Sequence, residues 1–291
     1  TGLSITTCAD RKVTDSGAGG TALAIGHKTT YQTIGLDEKG NPHLSLLKHA
    51  KQMGKSTAVI CTSSITHATP ASFIANVKNR EQQEDIAKQY LEGYCDIAIG
   101  GGADYFKADK RKDKLDLPNE LRKKGFDVVF SEKDLFESKS DRIVALLDDN
   151  HLQDAAKRGD VMEKSLRKTL DLMQKNENGF FIMLEGSKID MEAHLNKYDS
   201  MIEEVLDFER CVKIAFEFAK ENPNTLIVVT ADHETGGLTL PAKDNDVKDK
   251  WTTLNHTGVP VPIFSFGMGA ENFTGVMQNK DIAKRILSLM K

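Results

Sequence analysis

Apolar residues along this chain fall into short unbroken runs separated by longer amphipathic stretches. The runs TAVIC (57–61), DIAIG (96–100), FDVVF (126–130), GFFIML (179–184), TLIVVTA (225–231) and PIFSFG (262–267) have the length and β-branched content of strands. Between them, apolar positions recur at helical spacing over Glu81–Gly93, Asp160–Asn176, Tyr198–Asn222 and Lys280–Met290. Strands that are apolar throughout and alternate with helices predict a parallel sheet covered on both faces: an α/β three-layer sandwich with a mostly parallel central sheet. The charged stretch FKADKRKDKLDLPNE (106–120) reads as a solvated loop running into a helix start. With no internal repeat and no low-complexity linker, one domain over residues 1–291 is expected.

Composition narrows the class. A chain of 291 residues, 39% hydrophobic and 28% charged, is a globular sequence long enough to bury a sizeable core. Its net charge of −4 supplies no basic field, which argues against nucleic-acid binding. The longest apolar runs are too short to cross a bilayer. Cys8, Cys61, Cys95 and Cys211 lack metal-type spacing, and the sequence chooses no pairing among them. The first residues, TGLSITTCAD, show neither an initiator Met nor a signal peptide, so either the mature start is unusual or an upstream part has been removed.

In open sheets of this type, ligands bind outside the carboxyl ends of the strands. That rule gathers scattered polar residues into one place. TLIVVTADHETGG delivers Asp232 and His233 just past a strand, and GFFIMLEGSKIDMEAH delivers Glu185, then Asp190 and His194 four apart on one helix face. CTSSITHATP offers His67 and Thr69, and His256 arrives just before the last strand. Such a crowd of acids and imidazoles needs compensating charge. Divalent cations supply it: imidazole with carboxylate suits zinc, while a Thr hydroxyl with Glu suits a harder ion such as magnesium. At the other end of the chain, VTDSGAGGTALAIG sets Ser16 before a small-residue helix, where Ser could cap the helix or stand at an anion-attracting N-terminus.

Five segments, VTDSGAGGTALAIG, THATPASF, MLEGSKIDMEAH, TADHETGG and NHTGVPVPIFSFG, resemble in order the motif series of the alkaline phosphatases, over essentially the whole chain. The resemblance implies hydrolysis of small phosphate monoesters through a phosphoserine on Ser16, with two zinc ions and one magnesium. Asp190, His194 and His256 would hold the first zinc, and Asp232 and His233 the second, beside Ser16. Thr69 and Glu185 would serve the third, magnesium-type site, with His67 next to it. Arg80 would grip the substrate phosphate. A periplasmic or extracellular location and a homodimer are also implied.

Two departures stand out. His67 occupies a position where some members have aspartate, and Met191 follows Asp190 where some have Lys. The family's apolar strand ending in a bridging aspartate is also absent before Ser16; Asp10 and Asp15 lie in a polar stretch that lacks such a strand. The sequence therefore predicts a catalytic domain truncated at its front, with a gap or unpaired strand edge, a well-formed first zinc site and weak magnesium binding. The segment between Gly237 and His256 is short where larger members carry an insertion. A phosphodiesterase or phosphomutase with the same metal core, and a non-catalytic phosphate- or metal-binding module, remain alternatives.

Overall fold

A computed structural model describes residues 1–240 and 250–290. In chain order its strands are β1 (Gly2–Ile5), β2 (Ser56–Ser64), β3 (Ile97–Gly101), β4 (Asp127–Val129), β5 (Ile143–Leu146), β6 (Phe180–Glu185), β7 (Leu226–Val229), β8 (Glu234–Thr235), β9 (His256–Thr257), β10 (Val261–Gly267) and β11 (Gly275–Gln278). Five of them form an all-parallel sheet in the order β4-β5-β3-β2-β6. Both of its faces are buried, as the unbroken apolar runs require. Val59, Cys61, Ala98, Val144 and Leu146 pack to one side, against the helices Leu46–Gln52, Ala68–Ile74 and Leu117–Lys123. Their alternates Ala58, Ile60, Ile97, Ile99, Ile143 and Ala145 pack to the other, against Val161–Met173 and Tyr198–Glu221. The result is the expected three-layer α/β arrangement.

A second sheet departs from the parallel reading. Its order is β11-β1-β10-β7, with β10 antiparallel to both β1 and β7 and β1 parallel to β11. One face packs Ile263 and Met277 on Ile282 of the helix Asn279–Leu289, while the other leaves Phe264 50% and Val276 66% exposed. Burial on one side only is the habit of antiparallel sheets. Strands β1, β5 and β11 have four residues each and are absent from the sequence-based assignment, because so short a run carries little periodicity.

β6 and β7 are the terminal strands of their sheets, and the two together line a slot of about 1120 Å³. Phe181, Met183, Val228, Leu170 and Phe218 make much of its wall apolar. Among the described residues, neither strand has a partner on the side that faces this opening. At its mouth stand Ser16, Thr69, Glu185, Asp190, Asp232 and His233. The part of the Gly237–His256 segment that spans residues 241–249 lies outside the described residues. All four cysteines are free and buried. Among the described residues, no helix is long and apolar enough to cross a membrane.

Candidate active site and metal centre

Ser16 opens the helix Ser16–Ile25, and Asp15, not Ser16, caps it. Asp15 Oδ2 accepts from Gly17 N at 3.0 Å and Oδ1 from Ala18 N at 3.2 Å. Two amides of the first turn are thereby used, so the capping role expected of Ser16, and an anion site built from free amides there, both give way to a carboxylate cap. The Ser16 hydroxyl, with no capping duty, is buried and hydrogen-bonded to His233 Nε2 at 3.0 Å. The glycines explain how the helix comes so close. A Cβ on Gly19 would lie 2.9 Å from the Asp232 carbonyl oxygen, and one on Gly20 would lie 3.2 Å from Thr69 Cα. Only glycine lets backbone approach backbone at this spacing.

Asp190 and His194 share one face of the helix Lys188–His194, as their spacing predicts. His256 comes from β9, whose pairing with β8 sets it opposite Thr235. Ligand atoms of Asp190, His194 and His256 all lie within 4.8 Å of one another. His194 Nε2 is 3.0 Å from His256 Nε2, and the two stand 3.4 and 3.5 Å from Asp190 Oδ1. Asp232 and His233 follow β7. The His233 ring stacks on His256 with centroids 3.5 Å apart, which joins the two groups into one cluster.

Hydrogen bonds orient every imidazole in the cluster. His194 Nδ1 donates to the Leu254 carbonyl at 2.6 Å, and His256 Nδ1 donates to that of Thr14 at 2.8 Å. His233 Nδ1 meets the Thr235 hydroxyl at 3.2 Å. With Nδ1 engaged outward, each Nε2 turns inward, which is how metal-binding histidines are presented. Asp232 Oδ2 is buried with no hydrogen bond, although His233 Nε2 stands 3.2 Å away. Facing Nε2 atoms and an orphaned carboxylate oxygen fit cations, not a closed hydrogen-bond network.

The electrostatics agree. Burial alone would lower the His233 pKa, but the charges of Asp232, Asp190 and Asp15 outweigh it and raise it to about 9. Burial would raise Asp190, yet the hydrogen bond to His256 and the charge of His233 hold it well below the usual carboxylate range. Asp232 is held down by His233 against the same opposing burial. Glu185, at the end of β6, goes the other way. Burial and the charges of Asp232 and Asp190 push it up to about 7, against the hydroxyls of Ser187 and Thr69.

Arg80 lies across the start of the helix Ser16–Ile25. Its Nη1 donates to Asp15 Oδ2 and its Nη2 to His67 Nε2, both at 3.1 Å. A guanidinium only donates, so His67 must accept at Nε2 and carry its proton on Nδ1. That Nδ1 is buried and unpartnered. Burial and the charge of Arg80 push the His67 pKa down to about 3, so the ring is neutral. Cation binding at His67 would compete with its hold on Arg80. Sequence reasoning missed His151, whose ring meets that of His67 edge-on at 5.5 Å and helps line a recess of about 200 Å³ beside Arg80. It also missed Thr235 and the cap of Asp15; only the Asp-Ser pair ahead of GAGG could have suggested the latter.

The alkaline phosphatase family model matches residues 1–248. Alkaline phosphatase 4 of Bacillus subtilis (strain 168) is 33% identical over 97% of this chain and 77% of its own length. The alkaline phosphatase of the Antarctic bacterium TAB5 superposes with a TM-score of 0.93 at 35% identity, covering 99% of this chain and 88% of that one. A histidine-to-aspartate variant of the TAB5 enzyme, with magnesium bound in its M3 site, superposes at 0.92 with the same identity, covering 99% and 87%. With motifs, fold and relatives in agreement over nearly its whole length, this chain belongs to the alkaline phosphatase family, the phosphoric monoester hydrolases.

Proposed function

We propose that this chain hydrolyses small phosphate monoesters through a covalent phosphoserine on Ser16, with two zinc ions and one magnesium. The observation that carries this is the Ser16 hydroxyl, buried and hydrogen-bonded to His233 at the edge of the Asp190–His194–His256 cluster. Asp190, His194 and His256 would hold the first zinc, Asp232 and His233 the second, and Thr69 and Glu185 the magnesium, with His67 alongside. Bound there, the cations would lower the pKa of the hydroxyl and stabilise charge on the leaving oxygen.

The chain's own groups do the rest. Ser16 Oγ attacks phosphorus as the ester P–O bond breaks, and the alcohol leaves with a proton. Water then attacks the phosphoserine, releasing phosphate and restoring the hydroxyl. Arg80 holds two phosphoryl oxygens through paired charge-assisted hydrogen bonds, a task its planar fork suits better than a Lys ammonium would. Asp15 keeps the guanidinium against the nucleophile helix.

In this reading residues 1–291 form the catalytic domain. The slot between β6 and β7 would take an extended strand ending in an aspartate, whose carboxylate would complete the ligand groups proposed for the second zinc and the magnesium. Two free edges and an apolar lining that opens on Asp232 and Glu185 support that assignment. A homodimer and a location outside the cytoplasm complete the proposal, both on the family resemblance. The test is turnover of an aryl phosphate against a bis-aryl phosphate, with zinc and magnesium added. Faster cleavage of the monoester is expected. A preference for the diester would move the protein to another activity on the same metal core.

A further inference from the structure

The Thr235 hydroxyl touches two groups assigned to different metals. Its Oγ1 lies 2.5 Å from Asp190 Oδ1 and 3.2 Å from His233 Nδ1. A hydroxyl has one proton to give. The carboxylate can only accept, and it makes the shorter contact, so the proton points to Asp190. Thr235 Oγ1 must then accept from His233, which requires the imidazole proton to sit on Nδ1. His233 Nε2 is thereby left facing Ser16 Oγ, 3.0 Å away.

The other two histidines of the cluster are oriented by backbone carbonyls, of Leu254 and Thr14. His233 alone among them is oriented by a side chain, and that side chain is tied to a carboxylate of the neighbouring group. The backbone of Thr235 is fixed as well. It sits in β8 opposite His256 in β9, so one short strand pair aligns His256 and carries the hydroxyl between Asp190 and His233.

We infer that Thr235 is a positioning residue that couples the two metal groups, fixing the tautomer of His233 and the direction of Asp190 Oδ1 with a single hydroxyl. The inference rests on the reading that Asp190 and His233 serve cations. Removing a partner of this kind from a metal-binding histidine costs about tenfold to a hundredfold in metal affinity. It does so without removing any ligand.

The test compares the wild-type chain with Thr235→Val, which keeps the shape and loses the hydroxyl, and Thr235→Ser, which keeps the hydroxyl and loses the methyl. Zinc affinity is measured by competition with a chromophoric chelator. The tautomer of His233 is read in the metal-free protein at alkaline pH from long-range 15N–1H correlations. Thr235→Val should bind zinc about tenfold to a hundredfold more weakly and lose the single Nδ1–H form, while Thr235→Ser should match wild type in both. Unchanged zinc affinity and tautomer in Thr235→Val would overturn the inference and leave the metal reading intact. A Thr235→Ser variant as impaired as Thr235→Val would also overturn it, since packing of the methyl would then carry the effect. If the wild-type chain bound no zinc, the metal reading would fail, and the tautomer spectra would still decide what Thr235 does.

Discussion

Ser16, Arg80 and His233 each carry a consequence that one substitution or one titration exposes. Ser16 is the hydroxyl at the mouth nearest an imidazole of the cluster, at 3.0 Å. Ser16→Ala should abolish covalent labelling by a phosphate ester, while zinc uptake at Asp190, His194 and His256 persists. Label retained on the alanine variant would assign the nucleophile elsewhere. In the proposed mechanism Arg80 would give phosphate two charge-assisted hydrogen bonds, each worth roughly 1.5–3 kcal/mol. Arg80→Ala should raise the inhibition constant of inorganic phosphate about a hundredfold to ten-thousandfold and leave zinc content alone; unchanged inhibition would mean that the guanidinium serves only Asp15 and His67. His233 governs the metal-free protein. It titrates at about 9 in the fold and near 6.5 unfolded, so between those values the native state holds the extra proton. The stability this contributes is complete below pH 6.5 and is lost as pH rises through 9. Glu185, raised to about 7, acts with the same sign up to that pH. Lys28, which burial lowers to about 8, opposes it only above pH 8. The thermal midpoint of the metal-free protein should therefore fall from pH 6.5 to 8. A midpoint that rises over that range would contradict the charge assigned to His233.

Helices and strands were legible where periodicity was long. All four predicted helices are present, the Asp160–Asn176 pattern as Val161–Met173 and the Tyr198–Asn222 pattern as Tyr198–Glu221. The parallel sheet was legible because its strands are buried on both faces. What escaped was the direction of β10: PIFSFG looks continuously apolar, yet Phe264 and Phe266 face outward, so the run mimics a two-sided strand. The close approach of the helix Ser16–Ile25 to Asp232 and Thr69 was also out of reach, because GAGG records permission for contact without naming the partner. Gly19→Ala tests that contact. Its Cβ would meet the Asp232 carbonyl oxygen at 2.9 Å, a backbone atom that cannot swing away. Overpacking of this kind costs about 1–3 kcal/mol, to be seen as a lowered urea midpoint. Gly258→Ala, where the nearest contact is an ordinary 3.6 Å, should stay within about 0.5 kcal/mol of wild type. Equal effects at the two sites would remove the packing explanation for the glycines.

For the molecule as a whole, the sequence located the cluster through the rule that ligands gather past strand ends, which holds for Glu185 at the end of β6 and for Asp232 and His233 after β7, although β7 belongs to the second, mixed sheet. Asp190, His194, His256, Asp232, His233, Glu185, Thr69 and Ser16 do meet there. It did not show how they are held: the Asp15 cap, the Arg80–His67 contact and the Thr235 bridge each join segments far apart in the chain. The ranking that the sequence implied, a complete first zinc site and a weak magnesium site, is a proposal that the geometry supports. Asp190, His194 and His256 could give one cation three ligands, the usual number in a catalytic zinc site. The Asp232–His233 and Thr69–Glu185 groups, proposed for the second zinc and the magnesium, line the slot between β6 and β7. The first position should fill with zinc before the others, and magnesium should be held weakly. X-ray diffraction at the zinc absorption edge, on crystals grown with zinc, tests this account most directly. It predicts that the strongest anomalous peak lies between Asp190, His194 and His256, with any second peak beside Asp232, His233 and Ser16. Zinc bound elsewhere on the protein, with no peak among those three side chains, would contradict it.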